Sequence, residues 1–139
     1  MKLFYMGNLE EMTAQDKKEA ESFIAAREYG IIATSDSKTG ARLSALANLP
    51  GSTLNESYYA TEIDTQKVKN IQENPRCEFM YTDGHGQIML SGKAQIINDV
   101  ESKKAIWMDW MEEYFPGGPE SSKMCIVKFT TESVRAMLA

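Results

Sequence analysis

Six short runs of β character, interrupted by three helical stretches and never in regular strand–helix–strand alternation, leave this chain few ways to fold. The runs are Ile31 to Thr34, Arg42 to Leu49, Ser57 to Thr61, Arg76 to Thr82, Gln87 to Asn98 and Met124 to Thr130. Turn-forming stretches separate several of them, notably Ser35-Asp36-Ser37 and Asp83-Gly84-His85-Gly86. Thr13 is placed to cap a helix running to about Glu28, with Ala20, Phe23 and Ile24 on one face and Gly30 closing it. Asp64 is a candidate cap for a helix over Thr65 to Glu73, which Pro75 stops. Asp99 is a candidate cap for a third helix reaching about Tyr114, where Phe115-Pro116-Gly117-Gly118-Pro119 must break it. A doubly wound parallel sheet needs regular alternation, so the pattern predicts a mainly β (α+β) fold, a small six-stranded barrel with flanking helices.

The chain has 139 residues, 42% of them hydrophobic, enough for one proper core and too few for two domains of usual size. Without an internal repeat or linker-like shift in composition, residues 1–139 are expected to form a single domain. Twenty acidic against fifteen basic side chains give a formal charge of −5, which repels nucleic acids and anionic membranes. An anionic ligand then needs a local basic pocket. No stretch approaches the ~20 apolar residues of a membrane span, and the N-terminus lacks a signal-peptide run. Cys77 and Cys125 are too sparse for a disulfide-built scaffold, so the expected location is the cytoplasm and the expected state of both is a buried free thiol.

Within the strands, alternation puts Leu43, Ala45, Ala47 and Leu49 on one face, expected to be the core, and Arg42, Ser44 and Asn48 on the other. In the fifth run Ile88, Leu90, Ala94 and Ile96 share a face opposite Gln87, Ser91, Lys93 and Gln95, and Gly92 suggests a bulge or a close backbone approach. The candidate ligand site is Tyr59 to Lys67, where a strand ends and a helix begins. Free backbone N–H groups, the helix dipole and Lys67 could there converge on an anion such as phosphate, with Arg42 as a second cation. A surface lysine is the plainer reading of Lys67, and an exposed turn residue that of His85. Trp107, Trp110, Met111 and Tyr114 follow a helical spacing that usually marks a buried face; packing over a ligand or a partner is the sharper alternative. No P-loop, nucleophile elbow, dinucleotide fingerprint or helical zinc motif occurs.

Taken in order, Arg42-Leu43-Ser44-Ala45, Ala60-Thr61 with Thr65-Gln66-Lys67, Asn74-Pro75-Arg76 and Gln87-Ile88-Met89-Leu90-Ser91-Gly92-Lys93-Ala94 resemble the pyridoxamine 5′-phosphate oxidase-like FMN-binding split-barrel superfamily. Trp107-Met108-Asp109-Trp110 followed by Tyr114-Phe115-Pro116-Gly117-Gly118-Pro119 resembles its general stress protein branch. The resemblance implies a split β-barrel, FMN as cofactor, and a homodimer with flavin sites at the interface. It assigns Arg42, Leu43, Ser44 and Ala45 to the strand along the flavin, with Arg42 at the phosphate. Ala60, Thr61, Thr65, Gln66 and Lys67 fall in the phosphate and ribityl loop, Gln87 at the flavin ring and Trp110 at the far wall. The full oxidases carry a lysine where this chain has Ala47, an arginine where it has Gln66, and a substrate-gripping arginine- and histidine-bearing C-terminal segment absent here. The expectation is therefore a flavin-dependent oxidoreductase with an unidentified small-molecule donor or acceptor, not a true pyridoxamine-phosphate oxidase. The alternative is a non-catalytic module binding flavin, haem or a deazaflavin, or a stress-response module acting by protein contact.

Overall fold

The computed structural model describes residues 2–139 and is mainly antiparallel sheet with flanking helices. In chain order the elements are β1 (Leu3–Asn8), α1 (Ala14–Ala25), β2 (Tyr29–Asp36), β3 (Gly40–Ala47), β4 (Glu56–Glu62), α2 (Gln66–Glu73), β5 (Arg76–Thr82), β6 (Gln87–Ile97), α3 (Val100–Ile106), α4 (Met111–Tyr114) and β7 (Met124–Leu138). The sheet order is β1-β7-β6-β5-β2-β3, with β4 also on β7. The fifteen residues of β7 make this possible: its first half pairs with β4, its second half with β1, and its other edge with β6 along both. Strands β3 and β4 come close without sharing a ladder, which leaves the curled sheet open along one line.

The inner face of the sheet carries the core: Ile32, Phe79, Tyr81, Ile88, Leu90, Val127, Phe129, Val134 and Ala136 are buried together, sealed by Ala20 and Ile24 of α1. A smaller cluster of Leu49, Met111, Phe115 and Met124 lies under α4. One polar chain crosses the main core. Tyr59 and Tyr81 are hydrogen-bonded through their hydroxyls, Tyr81 donates to Ser57 Oγ at 3.2 Å, and Ser57 donates to the Thr53 carbonyl at 3.4 Å. Burial pushes both phenols up, so they stay neutral. Tyr81→Phe leaves the Tyr59 hydroxyl without its acceptor inside the barrel, and the expected cost is about 1–3 kcal/mol in chemical denaturation. An unchanged midpoint would show that the hydroxyl finds another partner.

The mainly β architecture with flanking helices and the buried face of β6 are as expected, and Cys77 and Cys125 are buried free thiols. His85 is an exposed turn residue. Four details differ. The sheet has seven strands rather than six, because Leu3–Asn8 pairs with the end of β7. The Leu43, Ala45 and Ala47 side of β3 faces outward; Leu46, opposite Gly30, turns in. Thr65, not Asp64, is the cap position of α2. The third helix stops at Ile106: Trp107 takes an extended backbone, which resets the phase, so the Trp107, Trp110, Met111 and Tyr114 stripe does not form one buried face and of the four only Met111 is fully buried.

Asp36, Asp83 and Asp99 are held below the usual carboxylate range chiefly by backbone N–H donors, from Lys38, Gly86 and Ser102 respectively. A carboxyl whose pKa is depressed by folding stabilises the fold above its unfolded value of about 4, and that contribution is lost as pH falls through the lower folded value. Thermal midpoints are therefore expected to decline below about pH 4, and less steeply in Asp99→Asn, which keeps an acceptor at the cap of α3 without a titrating group.

Candidate functional site

The open line between β3 and β4 widens into a cleft of about 720 Å³. Four stretches of chain build it: Ala45 to Asn48 at the end of β3, Ala60 to Glu62 at the end of β4, Thr65 and Lys67 at the start of α2, and Trp110, Tyr114 and Phe115 around α4, with Glu28 at the rim of β2. Three of the wall residues, Ala45, Ala47 and Ala60, have methyl side chains, so a flat ligand can approach the strand backbone closely. Trp110 and Tyr114 meet edge to face with centroids 5.9 Å apart. Their chain neighbours Met111 and Phe115 are buried in the smaller core.

The stretch of the lining from Thr61 to Lys67 is suited to an anion. Lys67 Nζ donates to Thr61 Oγ1 at 3.1 Å. Burial pushes the Lys67 ammonium below its ordinary pKa, while the nearby Cys125 and Glu62 act in the opposite direction. The Cys125 thiol is itself pushed up to about 11, mainly by burial, and is neutral at pH 7. The side chain of Thr65 caps no N–H of α2; its hydroxyl donates instead to the Glu62 carbonyl at 3.0 Å. The first-turn N–H groups of α2 thus lack a side-chain acceptor and open beside Lys67, a donor set that matches phosphate oxygens.

Of the residues singled out from sequence, Ala45, Ala60, Thr61, Thr65, Lys67 and Trp110 come together here. Arg42 does not: its guanidinium is half exposed and 3.9 Å from Asp36 at the β2–β3 hairpin. Leu43 is 73% exposed on the outer face of the sheet, and Ser44 is half-buried on the opposite face. Gln66 donates to Asn70 at 2.9 Å, and Asn70 donates to Thr34, an arrangement that ties α2 to β2. Gln87 lies outside the lining. Its place follows from the register row Met6, Arg135, Met89, Met80, Ile31 and Ala45, which crosses six strands on the outer face. Gln87 is two residues from Met89 on that face, so it stands three strands from Ala45, roughly 15 Å away. Sequence reasoning missed Glu28, which precedes a strand with no distinguishing pattern, and Phe115, which it treated as a helix breaker; Tyr114 it had named with Trp110 in the aromatic stripe, with packing over a ligand as the sharper alternative.

The family model described as Pyridoxamine 5′-phosphate oxidase like matches residues 15–136. General stress protein 26 of Bacillus subtilis is 30% identical over 87 residues, 59% of this chain, and the match spans 61% of that relative's length. Among solved structures, a Clostridium acetobutylicum protein related to general stress protein 26, of the pyridoxinephosphate oxidase family, superposes with a TM-score of 0.82 at 20% identity, covering 91% of this chain and 90% of its own. General stress protein 26 from Bacillus anthracis gives 0.71 at 17% identity, covering 84% and 88%. At these identities the structural likeness speaks for the fold.

Proposed function

The chain belongs to the pyridoxamine 5′-phosphate oxidase like family, and from that premise we propose that the cleft between β3 and β4 binds FMN and that the protein is a flavin-dependent oxidoreductase acting on a small molecule. The observation that carries this reading is the make-up of the cleft: close-approach alanine walls and an aromatic wall in one lining with an ammonium beside an uncapped helix start. Lys67, Thr61 and the first-turn N–H groups of α2 would hold the phosphate, with Thr65 and Ala60 along the ribityl chain. Ala45 and Trp110 would flank the ring. Bound there, FMN would supply the ability to accept and release electrons, and the protein's part would be to orient the ring and limit water. The lysine and arginine of the full oxidases are replaced by Ala47 and Gln66, so oxidation of pyridoxamine phosphate is not the reaction proposed.

We place the protein in the cytoplasm as a homodimer with a flavin site at each side of the interface. No helix among the described residues is long and apolar enough to cross a membrane. The outer sheet face exposes Phe4 and Met6 of β1 at 61% and 60%, and Leu43 of β3 at 73%, apolar side chains at the two ends of the sheet that a second copy could cover. A second copy would also give Gln87 a ring to bind that its own chain's Ala45 is too distant to share. FMN titration, followed by flavin fluorescence and the visible spectrum, tests the reading. Saturable micromolar or tighter binding is expected; no binding at millimolar FMN with the fold intact overturns it.

A flavin-holding module without turnover is the second reading, favoured by the single ammonium set against Glu28 and Glu62 in the same cleft. Anaerobic NAD(P)H consumption with an acceptor supports the enzyme, whereas a bound flavin that no physiological donor reduces supports the module.

A further inference from the structure

The charge on the cleft walls is predominantly negative. Glu28 and Glu62 line it, and Lys67 is the only basic side chain of the lining among the described residues. Lys67 is hydrogen-bonded to Thr61 and feels the Glu62 carboxylate, so those two charges largely offset each other. Glu28 is exposed and forms no ion pair among the described residues. Its backbone is fixed, since its carbonyl accepts the Asn48 N–H at 2.9 Å where β3 ends.

The same lining holds two aromatic rings that the fold does not need in place for its core. Trp110 is 41% and Tyr114 64% exposed, and neither joins the smaller core that Met111 and Phe115 help to form. An aromatic face attracts positive charge through its quadrupole, and a free carboxylate attracts it by simple Coulomb force. Together, in a concave site of this size, they favour one ligand class over its neutral and anionic isosteres. We propose that the cleft accepts a flat organic cation, of the N-alkylpyridinium class, against Trp110 and Tyr114 with Glu28 as its counter-charge. In the flavin-free protein the cation would take the aromatic wall that the flavin ring covers in the reading above, and Lys67 would remain available to an anion.

This inference shares its cleft with the flavin reading but is tested without flavin. Three ring compounds of nearly the same shape serve as probes: 1-methylnicotinamide as the cation, nicotinamide as the neutral compound and nicotinate as the anion. Each is titrated calorimetrically into the flavin-free full chain. The expected order is cation, then neutral, then anion, with about tenfold between the first two. Glu28→Gln should reduce that advantage to within about threefold, whereas Glu10→Gln, the same change of net charge at an exposed residue outside the cleft, should leave it intact. Trp110→Ala should weaken the cation more than the neutral compound. Equal affinities for the three probes overturn the proposal, as does a loss in Glu10→Gln equal to that in Glu28→Gln. If the charge order holds while FMN fails to bind, the flavin reading falls and this one stands.

Discussion

Gly92→Ala is expected to abolish the cooperative fold or to lower its stability by about 3 kcal/mol or more, read as the loss of the native transition in urea denaturation. A Cβ at this position would clash with the carbonyl oxygen of Thr130 on the paired strand, a backbone atom that cannot rotate away. Making room means parting β6 from β7, and β7 is the strand on which β1, β4 and β6 all depend. The contrasting substitution is Gly40→Ala. Gly40 has a positive φ of 86° but nothing within 4 Å of its would-be Cβ, so the cost is the left-handed backbone alone, about 1–2 kcal/mol. Equal losses in the two variants would sink the steric account.

The close approach at Gly92 also explains how the cleft is formed. The register of β6 on β7 shifts there: Ser91 faces Ser133 and Gly92 faces Thr131, leaving Glu132 as the extra residue of a bulge. Glu132 turns outward to an ion pair with Arg76 at 2.9 Å. The bulge separates the part of β7 that pairs with β4 from the part that pairs with β1, and a bulge bends its strand and increases the local twist. Strand β4 is therefore carried toward β3 without bonding to it, and the two strand ends that line the cleft are brought face to face.

This also shows why some features were legible in sequence and others were not. Gly92 could be read because a glycine inside a strand pattern has few other uses, and the buried side of β6 because Ile88, Leu90 and Ala94 alternate with polar residues. The β4–α2 junction was legible because a strand end, a helix start and a lysine coincide within nine residues, Tyr59 to Lys67. Strand β3 was misread because both of its faces carry small or apolar residues; only its pairing with β2, where Leu46 lies opposite the buried Gly30, decides which side turns in. The break after α3 was hidden because its aromatic spacing is helical, and the interruption becomes visible only in the extended backbone of Trp107. Arg42 carries the family resemblance, yet its guanidinium lies beside Asp36 rather than in the cleft, a placement set by the hairpin and invisible in a linear motif.

Lys67→Met is expected to weaken FMN binding about 10- to 100-fold while changing riboflavin affinity little, because a charge-assisted hydrogen bond to a phosphate contributes about 1.5–3 kcal/mol and riboflavin has no phosphate. The difference between the two ligands is the informative quantity, since any general distortion of the cleft would weaken both alike. Methionine keeps the unbranched apolar stem, one atom shorter, and it removes an ammonium whose burial already pushes its pKa down, so the thermal midpoint of the ligand-free protein should not fall. Thr61 is left with a free hydroxyl that can still face a ligand oxygen, which limits the loss to the ammonium itself. Arg42→Ala should change FMN affinity by less than about threefold, because its charge is half exposed and already neighbours Asp36. Parallel titrations of FMN and riboflavin into the three proteins read all of this at once. A uniform loss for both flavins in Lys67→Met would remove Lys67 from the phosphate, and a larger loss in Arg42→Ala than in Lys67→Met would move the phosphate end of the site to the β2–β3 hairpin.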